Sequence, residues 1–323
     1  LSQLVDSRTM NSLTDFALNE EYKRIQRLGD KLAELESFID WESFRPILRD
    51  LYSSNDEIGG RPNTDEILLL KMLVLQSFYG LSDQEMERQA NDRISFRKFL
   101  GFPEKIPDHS TLWYFRERLI RAGKEQAVWD QLQAQFDTKG LSIKRGVIQD
   151  ATFITSDPGH ASSDTPRGEE AKTRRSRDGT WAKKGKKSYF GYKLHILVDR
   201  KHQFVWRLMT TTASLHDSQV DLSREGETVY RDKGYFGVKP QASMDKTMHR
   251  GVRGHPLSIK EKRRNRAIMR VRALVERPFA VIKRVYDGDH ALVTTCARVH
   301  VKMLFCCFSY NLQQLLAIHR SSS

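Results

Sequence analysis

The spacing of apolar residues along this chain of 323 residues changes near residue 140, and this change constrains the fold more than any other feature. Before it, apolar residues recur at helical spacing. After it, they alternate with a period of two, which predicts strands at 146–154, 190–199, 203–212 and 227–231. Helical spacing returns from residue 258. This order predicts an α/β domain over 141–323, preceded by an all-helical domain over 1–140.

Helix-start signals divide the first domain. Residues 13–39 have the spacing of one charged amphipathic helix, and 64–79 form a strongly apolar helix that begins at Thr64 or Asp65. A capping box at 82–85 begins a short helix, and Asp108 begins another. Short helices of this kind fit a helix-turn-helix reader of DNA and equally fit a bundle used for dimerisation, so both interpretations stay open.

Charge is distributed unevenly between the two halves. Residues 1–140 carry 19 Lys and Arg against 24 Asp and Glu, a net charge of −5, whereas residues 141–323 carry 35 against 17, a net charge of +18. A basic half of this size is typical of nucleic-acid binding, although a merely soluble basic surface is the alternative. Residues 155–188 are predicted to be an irregular basic insertion, in which Trp181 is a candidate to stack on a base.

Cysteine usage and hydropathy limit the compartment. Cys296, Cys306 and Cys307 do not make a disulfide framework, and the adjacent pair is predicted to be buried as thiols. No uncharged apolar run reaches about 18 residues, so no membrane span is expected. No export segment is recognised either. We therefore expect a protein of the reducing cytoplasm.

Three acidic residues occur in contexts that suggest chemistry. Asp150 lies inside the strand-like run 146–154, Asp232 ends another short strand, and Glu276 lies in a segment of helical periodicity. An acid inside a strand is costly to bury unless it is neutralised, and acids brought together repel unless divalent cations absorb the charge. Carboxylate oxygens suit Mg²⁺ or Mn²⁺. The alternative is that these are three of 41 acidic residues, paired with some of the 54 Lys and Arg.

Two basic residues accompany Glu276 on the predicted helix over 258–284. At about 100° per residue, Arg272, Glu276 and Lys283 fall within roughly 40° of one another. Because they share this face, Arg272 and Lys283 are candidates to bind phosphate beside the acid. Pro278 is expected to kink the helix just after Glu276, and with such a kink Lys283 need not point in the same direction as Glu276.

The same residues match a known motif. Arg272, Glu276 and Lys283 fit the R, E and K of the pattern Y-x2-R-x3-E-x6-K, while Met269 stands at the Tyr position. Further blocks follow the same order at 150–154, 191–199, 216–217, 232–235 and 275–279. With these blocks, about residues 60–320 resemble the DDE transposases of prokaryotic insertion sequences, in the branch that carries this Y-R-E-K motif.

The resemblance implies a fold and an activity. The fold would be an RNase H-like core, a mixed sheet flanked by helices, with the usual helix between the third and fourth strands trimmed by the short 216–226 link. Asp150, Asp232 and Glu276 would be both catalytic residues and ligands of two Mg²⁺ or Mn²⁺ ions, with Asp150 bridging them. The phosphate contacts would come from Arg272, Lys283, Lys193, His195 and Lys233.

The implied reaction is hydrolysis at the ends of an insertion sequence, followed by attack of the freed 3′-OH on target DNA. The partners would be double-stranded DNA, as terminal inverted repeats and target, and a second copy of the chain assembled on that DNA in the nucleoid. The helical domain would hold the end-binding or dimer contacts.

Two other functions stay open at this point. A metal-dependent DNA nuclease without strand transfer would need the same acids, and a non-catalytic DNA-binding relic of a transposase would keep the basic surface. Met269 and the short 216–226 link are the two departures that bear on activity.

Overall fold

The structure is a computed structural model, and it describes residues 13–52, 63–143, 146–159 and 176–322. The chain divides into two compact units. The first comprises Leu1–Gln76 and Leu81–Arg118, and the second comprises Ser77–Gly80 and Leu119–Ser323. Among the described residues, the first unit contains helices joined by loops and no strand, and the second contains the sheet.

Short helices are the secondary structure of the described residues as far as residue 121. Their apolar faces enclose a core of large side chains that includes Phe44, Phe96, Phe99 and Phe115, all at most 1% exposed. The α-helices are α1 (Leu13–Arg27), α2 (Lys31–Phe38), α3 (Arg45–Leu48), α4 (Glu66–Phe78), α5 (Asp83–Asp92), α6 (Ile94–Phe99) and α7 (His109–Arg121), with 3-10 turns at Glu42–Phe44 and Arg49–Leu51.

The predicted helix starts are confirmed by capping hydrogen bonds. The side chains of Asp65, Ser82 and Asp108 each accept a hydrogen bond from the backbone N–H three residues on, at 2.9, 3.2 and 2.7 Å. These N–H groups have no partner within their own helix, so a side-chain acceptor at the start satisfies one of them. Local sequence is sufficient to determine these three boundaries.

The single helix predicted over 13–39 is wrong. The chain leaves α1 through Gly29, whose φ is +89°, a conformation that other residues adopt only at a cost. Asp30 then accepts the backbone N–H of Leu32 at 2.9 Å and begins α2. The pair Gly29-Asp30 is a stop signal followed by a start signal, and it overrides the continuous apolar spacing.

The described strands of the second unit form one mixed sheet. The strands are β1 (Val147–Ser156), β2 (Thr180–Lys184), β3 (Lys187–Asp199), β4 (Val205–Thr212), β5 (Thr228–Arg231), β6 (Met244–Thr247) and β7 (His290–Ala291). The four strand predictions are confirmed to within three residues at each end. β2, β6 and β7 were not predicted, since each is short and carries little apolar alternation.

The sheet has an antiparallel part and a parallel part. β4, β3 and β1 are neighbours and antiparallel, while β5 pairs with β1 and β6 with β5, both in parallel. β2 pairs with β3, and β7 pairs with the end of β1. Three antiparallel strands continued by two parallel ones, with helices packed on the sheet, form the expected RNase H-like core.

The remaining helices cover or flank this sheet. They are α8 (Glu125–Thr138), α9 (Ile259–Arg272), α10 (Glu276–Arg284) and α11 (Cys296–Ser322). α8 belongs to the second unit although it precedes the predicted boundary at 140, because it packs on β4: Trp129 Nε1 donates to the carbonyl oxygen of Trp206 at 3.0 Å. Between β4 and β5 the chain contains only a 3-10 turn, Asp217–Gln219, so the usual helix is absent from this described link.

α11 is the core helix of this unit. Cys296–Ser321 is long and apolar enough to cross a membrane, yet 78% of its most apolar window is buried within the protein. Apolar residues buried on a sheet account for that composition without a lipid environment. Cys306 and Cys307 are buried on this helix as free thiols, as predicted.

The predicted irregular insertion is partly wrong. Residues 160–175 lie outside the described residues, but 180–184 and 187–199 form a regular β-hairpin with antiparallel pairing. Gly185, with φ +62°, supplies the left-handed position in the turn. The segment around this turn is rich in lysine, and its composition is that of a loop. β2 and the first residues of β3 were not predicted because they lack the alternation of apolar and polar residues that predicts a strand.

Candidate active site

Asp150 lies on β1, where the strand has passed its last pairing with β5. Its side chain is only 17% exposed, and both carboxylate oxygens accept hydrogen bonds. Arg272 Nη2 donates to Oδ2 at 2.6 Å and the backbone N–H of Ala151 to Oδ1 at 2.9 Å. Burial raises the pKa of Asp150, the charge of Arg272 opposes this rise, and the nearby Asp232 adds to it.

Strand register brings Asp232 beside Asp150. Val147 pairs with Val229 and Ile148 with Tyr230 in parallel. Continuing this register by two residues sets Asp150 opposite Asp232, just past the carboxyl end of β5, and sheets with parallel strands commonly bind ligands beyond such an end. Asp232 Oδ1 accepts the backbone N–H of Gly234 at 2.7 Å, which begins the 3-10 turn Lys233–Tyr235.

Glu276 begins α10 instead of lying mid-helix. The helix predicted over 258–284 breaks before Glu276, at a 3-10 turn over Ala273–Val275. The break was expected after Glu276. It comes earlier because Pro278, in the first turn of α10, lacks the N–H and the space that would let α9 continue. Glu276 and Lys283 therefore share one helix, and Arg272 ends the preceding one.

These residues line one open cleft of about 480 Å³. Its acidic members are Asp150, Asp217, Asp232 and Glu276, and its basic members are Lys184, Arg272, Lys283, Arg284 and His216. Five of the nine residues predicted to form the site are thus brought together: Asp150, Asp232, Glu276, Arg272 and Lys283. The break in the helix did not separate Lys283 from the acid.

Lys283 is half-buried on the cleft wall. Its burial, and the positive charge of Lys184 close by, lower its pKa, while Asp289 opposes this fall. Two cations directed into one cleft repel each other, and an anion between them relieves the repulsion. The wall of the cleft therefore has the chemistry of a phosphate site.

Lys193 and His195 do not reach this cleft as predicted. Asp150 pairs with Ile196 across the strands, and His195 with Ala151, so His195 and Lys193 point to the opposite face of the sheet. Lys193 Nζ nevertheless ends at the margin of the cleft, where it forms an ion pair at 2.7 Å with Oδ1 of the lining residue Asp217 and donates to the carbonyl oxygen of Leu215. Lys193 therefore does not line the cleft, and its charge is engaged by a residue that does.

His195 is fully buried. Its Nε2 lies 2.9 Å from Thr211 Oγ1, and burial lowers its pKa to about 4, with partial compensation by Asp217. A neutral, enclosed imidazole cannot attract a phosphate. Strand alternation explains this outcome, because neighbouring residues of one strand face opposite sides.

Lys233 and Trp181 are exposed but lie outside this cleft. Lys233 lines an adjoining hollow of about 540 Å³ that shares Asp232 and Gly234 with it. Trp181 is 52% exposed on β2, and its ring lies 5.3 Å from that of Phe190. Both remain available to a long ligand such as DNA.

Sequence reasoning assigned no role to Lys184, His216, Asp217 or Arg284, all of which line the cleft. His216 and Asp217 lie within one of the motif blocks, which was a usable signal. Lys184 belongs to a run of similar lysines, and nothing in that run distinguishes it from its neighbours.

The donor set fits a divalent ion, although its members are not gathered to hold one as they stand. Carboxylate oxygens of Asp150, Asp232 and Glu276 are the hard ligands that Mg²⁺ and Mn²⁺ prefer. Within the described ranges, no three His, Cys, Asp or Glu side chains are close enough together to bind a single ion. Binding would require side-chain movement that brings these carboxylates closer together.

Comparison with known proteins gives two family matches and one structural likeness. The family described as "Transposase DDE domain" matches residues 141–312, more than half of the chain, and "Transposase domain (DUF772)" matches residues 19–118. A solved structure described as "Cryo-EM structure of piggyBac transposase synaptic complex with hairpin DNA (SNHP)" is 11% identical, with a TM-score of 0.38, and the likeness covers 88% of this chain and 74% of that one. A likeness at this TM-score carries no weight for the present chain.

Proposed function

Because the chain belongs to the Transposase DDE domain family, an insertion-sequence type of transposase, we propose that it cuts DNA at the ends of an insertion sequence and joins the freed 3′-OH to target DNA. The observation that supports this most is the single cleft lined by Asp150, Asp232 and Glu276 together with basic side chains. Acids beside cations in an open cleft suit a phosphodiester and the ions that neutralise it.

Asp150, Asp232 and Glu276 would hold two Mg²⁺ or Mn²⁺ ions through their carboxylate oxygens. When bound, two such ions activate the attacking oxygen and stabilise the leaving oxygen of an in-line displacement. The acids themselves transfer no group. Water and a 3′-OH are alternative nucleophiles for one site, so cleavage and joining need no second set of residues.

The basic wall of the cleft would bind the DNA backbone. Lys184 and Lys283 approach the acids from β2 and α10 respectively, and Arg272 from the end of α9. Lysine acts as a point charge on a phosphate, whereas arginine can donate two parallel hydrogen bonds. Lys233 and Trp181 lie farther out and would contact flanking DNA.

DNA would be held by both units. The net charge of +18 on residues 141–323 supplies attraction to double-stranded DNA, whatever its sequence. In the first unit, α7 exposes Tyr114 together with Arg118, a helix face that can contact base edges or a second copy. We assign recognition of the terminal inverted repeats, dimer assembly on DNA, or both, to this unit, and we place the protein on the nucleoid in the cytoplasm.

The test is cleavage of DNA carrying the element's own terminal inverted repeats, in Mg²⁺, by the wild-type chain and by Asp150→Asn, Asp232→Asn and Glu276→Gln. Each amide variant should bind the DNA and fail to cut it. Glu225→Gln, which alters an exposed acid outside the cleft, is the matched control and should cut normally. Full cleavage by any one amide variant would contradict the site.

Pre-cut ends with a free 3′-OH, offered with a target plasmid, separate the alternatives. Joining supports a transposase. Cleavage without joining would indicate a metal-dependent nuclease, and DNA binding without either reaction would indicate a non-catalytic relic.

A further inference from the structure

The ion pair between Arg272 and Asp150 engages the most enclosed acid of the proposed site. The Nη2–Oδ2 distance is 2.6 Å, and each side chain is only 17% exposed. The second oxygen of Asp150 accepts the backbone N–H of Ala151. Each oxygen therefore already accepts one hydrogen bond, and a divalent ion bound at Oδ2 would lie beside the positive guanidinium of Arg272 and be repelled by it.

Arg272 reaches Asp150 from a position where its own attachments are few. It is the last residue of α9, immediately before the 3-10 turn, and its Nε is buried without a hydrogen-bond partner among the described residues. A buried donor left without a partner costs free energy. The guanidinium of Arg272 thus has a strong partner at Nη2 and an unsatisfied donor at Nε.

A carboxylate this enclosed is stabilised by a neighbouring cation. Moving an isolated charge out of water is strongly unfavourable, and an adjacent arginine offsets much of that cost. A divalent ion bound to the same oxygen would stabilise the carboxylate in the same way. The two cations therefore compete for Asp150.

We propose that Arg272 is a resident cation of Asp150, which a divalent ion displaces and which then binds a DNA phosphate. This inference rests on the proposed function, since it concerns the same acids and the same ligand. Arg272 is a positioning residue in this scheme: through its ion pair it holds the carboxylate of Asp150 in place in the cleft until the ion arrives. Its release couples ion binding to DNA binding, and the coupling acts equally in both directions.

The first test measures Mn²⁺ affinity without DNA, by following the electron paramagnetic resonance signal of free Mn²⁺ during titration of the full chain. Arg272→Gln should bind Mn²⁺ roughly tenfold more tightly than wild type, within the ordinary range of coupling between sites. Arg284→Gln also removes one positive charge from the cleft but leaves the ion pair of Asp150 intact. It therefore controls for the effect of net charge on Mn²⁺ binding and should change the affinity less. Arg272→Lys, a weaker competitor, should be intermediate.

Repeating the titration at pH 7 and pH 8 separates competition by a proton from competition by Arg272, because only the first changes with pH. Equal shifts for Arg272→Gln and Arg284→Gln, or weaker binding by Arg272→Gln at both pH values, would overturn the inference. If Asp150→Ala and Asp232→Ala both bind Mn²⁺ as wild type does, the proposed metal site itself fails, and that result is distinct.

The second test measures binding of a fluorescent random-sequence duplex by anisotropy. Asp150→Ala should bind the duplex several-fold more tightly than Asp232→Ala, although both lose one negative charge from the cleft, because only the first frees Arg272. Mn²⁺ should strengthen duplex binding by wild type and have little effect on Arg272→Gln. Equal affinities of the two alanine variants would count against the displacement, and circular dichroism melting confirms that all variants are folded.

Discussion

The two faces of the β1–β3 pair hold charged groups in different environments. On one face, Asp150 lies at the edge of an open cleft with Asp232 and Glu276. On the other, Lys193 and His195 are enclosed: Lys193 Nζ pairs with Asp217 at the margin of the cleft, and His195 is neutral. Residues that are close in the paired strands β1 and β3 therefore have different environments: Asp150 lines the cleft, and His195 is enclosed. A motif block that spans both faces does not assign one role to all its members.

The largest expected effect tests the open face. Asp150→Asn, Asp232→Asn and Glu276→Gln should each lower cleavage by at least about 10³-fold, because residues that act as a unit fail together. For the same reason, the double variant Asp150→Asn with Asp232→Asn should be little worse than either single variant. Single-turnover cleavage of end DNA measures both. Additive losses in the double variant would show that the acids act at separate sites.

The buried face of the sheet should make the stability of the protein depend on pH. The folded-state pKa of His195, about 4, lies below its ordinary value of 6.5. The neutral form is therefore favoured by folding, and stability is present above pH 6.5 and lost as pH falls toward 4. The loss should approach roughly 3 kcal/mol. Urea unfolding between pH 7 and pH 4.5 measures it, and His195→Gln should flatten this dependence. Parallel curves for the two proteins would place the titrating group elsewhere.

A pair of lysines contrasts the faces directly. Lys193→Ala should lower the free energy of unfolding by roughly 1–3 kcal/mol, because it leaves Asp217 and the carbonyl of Leu215 without their cation. Lys283→Ala should leave stability nearly unchanged and weaken cleavage. Urea unfolding and cleavage rates, measured on both variants, give a two-way comparison. A stability loss in Lys283→Ala and a cleavage loss in Lys193→Ala would show that the roles assigned to the two lysines are wrong.

The smallest effect concerns Lys184 on the cleft rim. Lys184→Ala should reduce the slope of log affinity against log salt concentration by about 1, as expected for one lost phosphate contact. Lys139→Ala, which removes an exposed lysine at the end of α8 and outside the cleft, is the control and should leave the slope unchanged. Anisotropy titrations with a random duplex at several salt concentrations measure it. Identical slopes for wild type and Lys184→Ala would exclude Lys184 from the DNA path.

The sequence by itself determined the elements whose signals are local. Four strands follow from alternation, and the helices begun by Asp65, Ser82 and Asp108 follow from their capping side chains, because each signal acts within a few residues. The three acids were also recognisable, from their contexts and their family motif. Even the break between α1 and α2 was present in Gly29-Asp30, although the continuous apolar spacing concealed it.

Only the tertiary structure decided which of the chosen residues meet. The register of β1 against β5 sets Asp150 beside Asp232, and the earlier break in the helix keeps Glu276 and Lys283 on one wall of the cleft. The pairing of Arg272 with Asp150 spans 122 residues of chain, and no local pattern carries information over that distance. Burial of His195 likewise depends on what packs over its face of the sheet. Such pairings arise from packing between distant segments, whereas local patterns determine only the segments themselves.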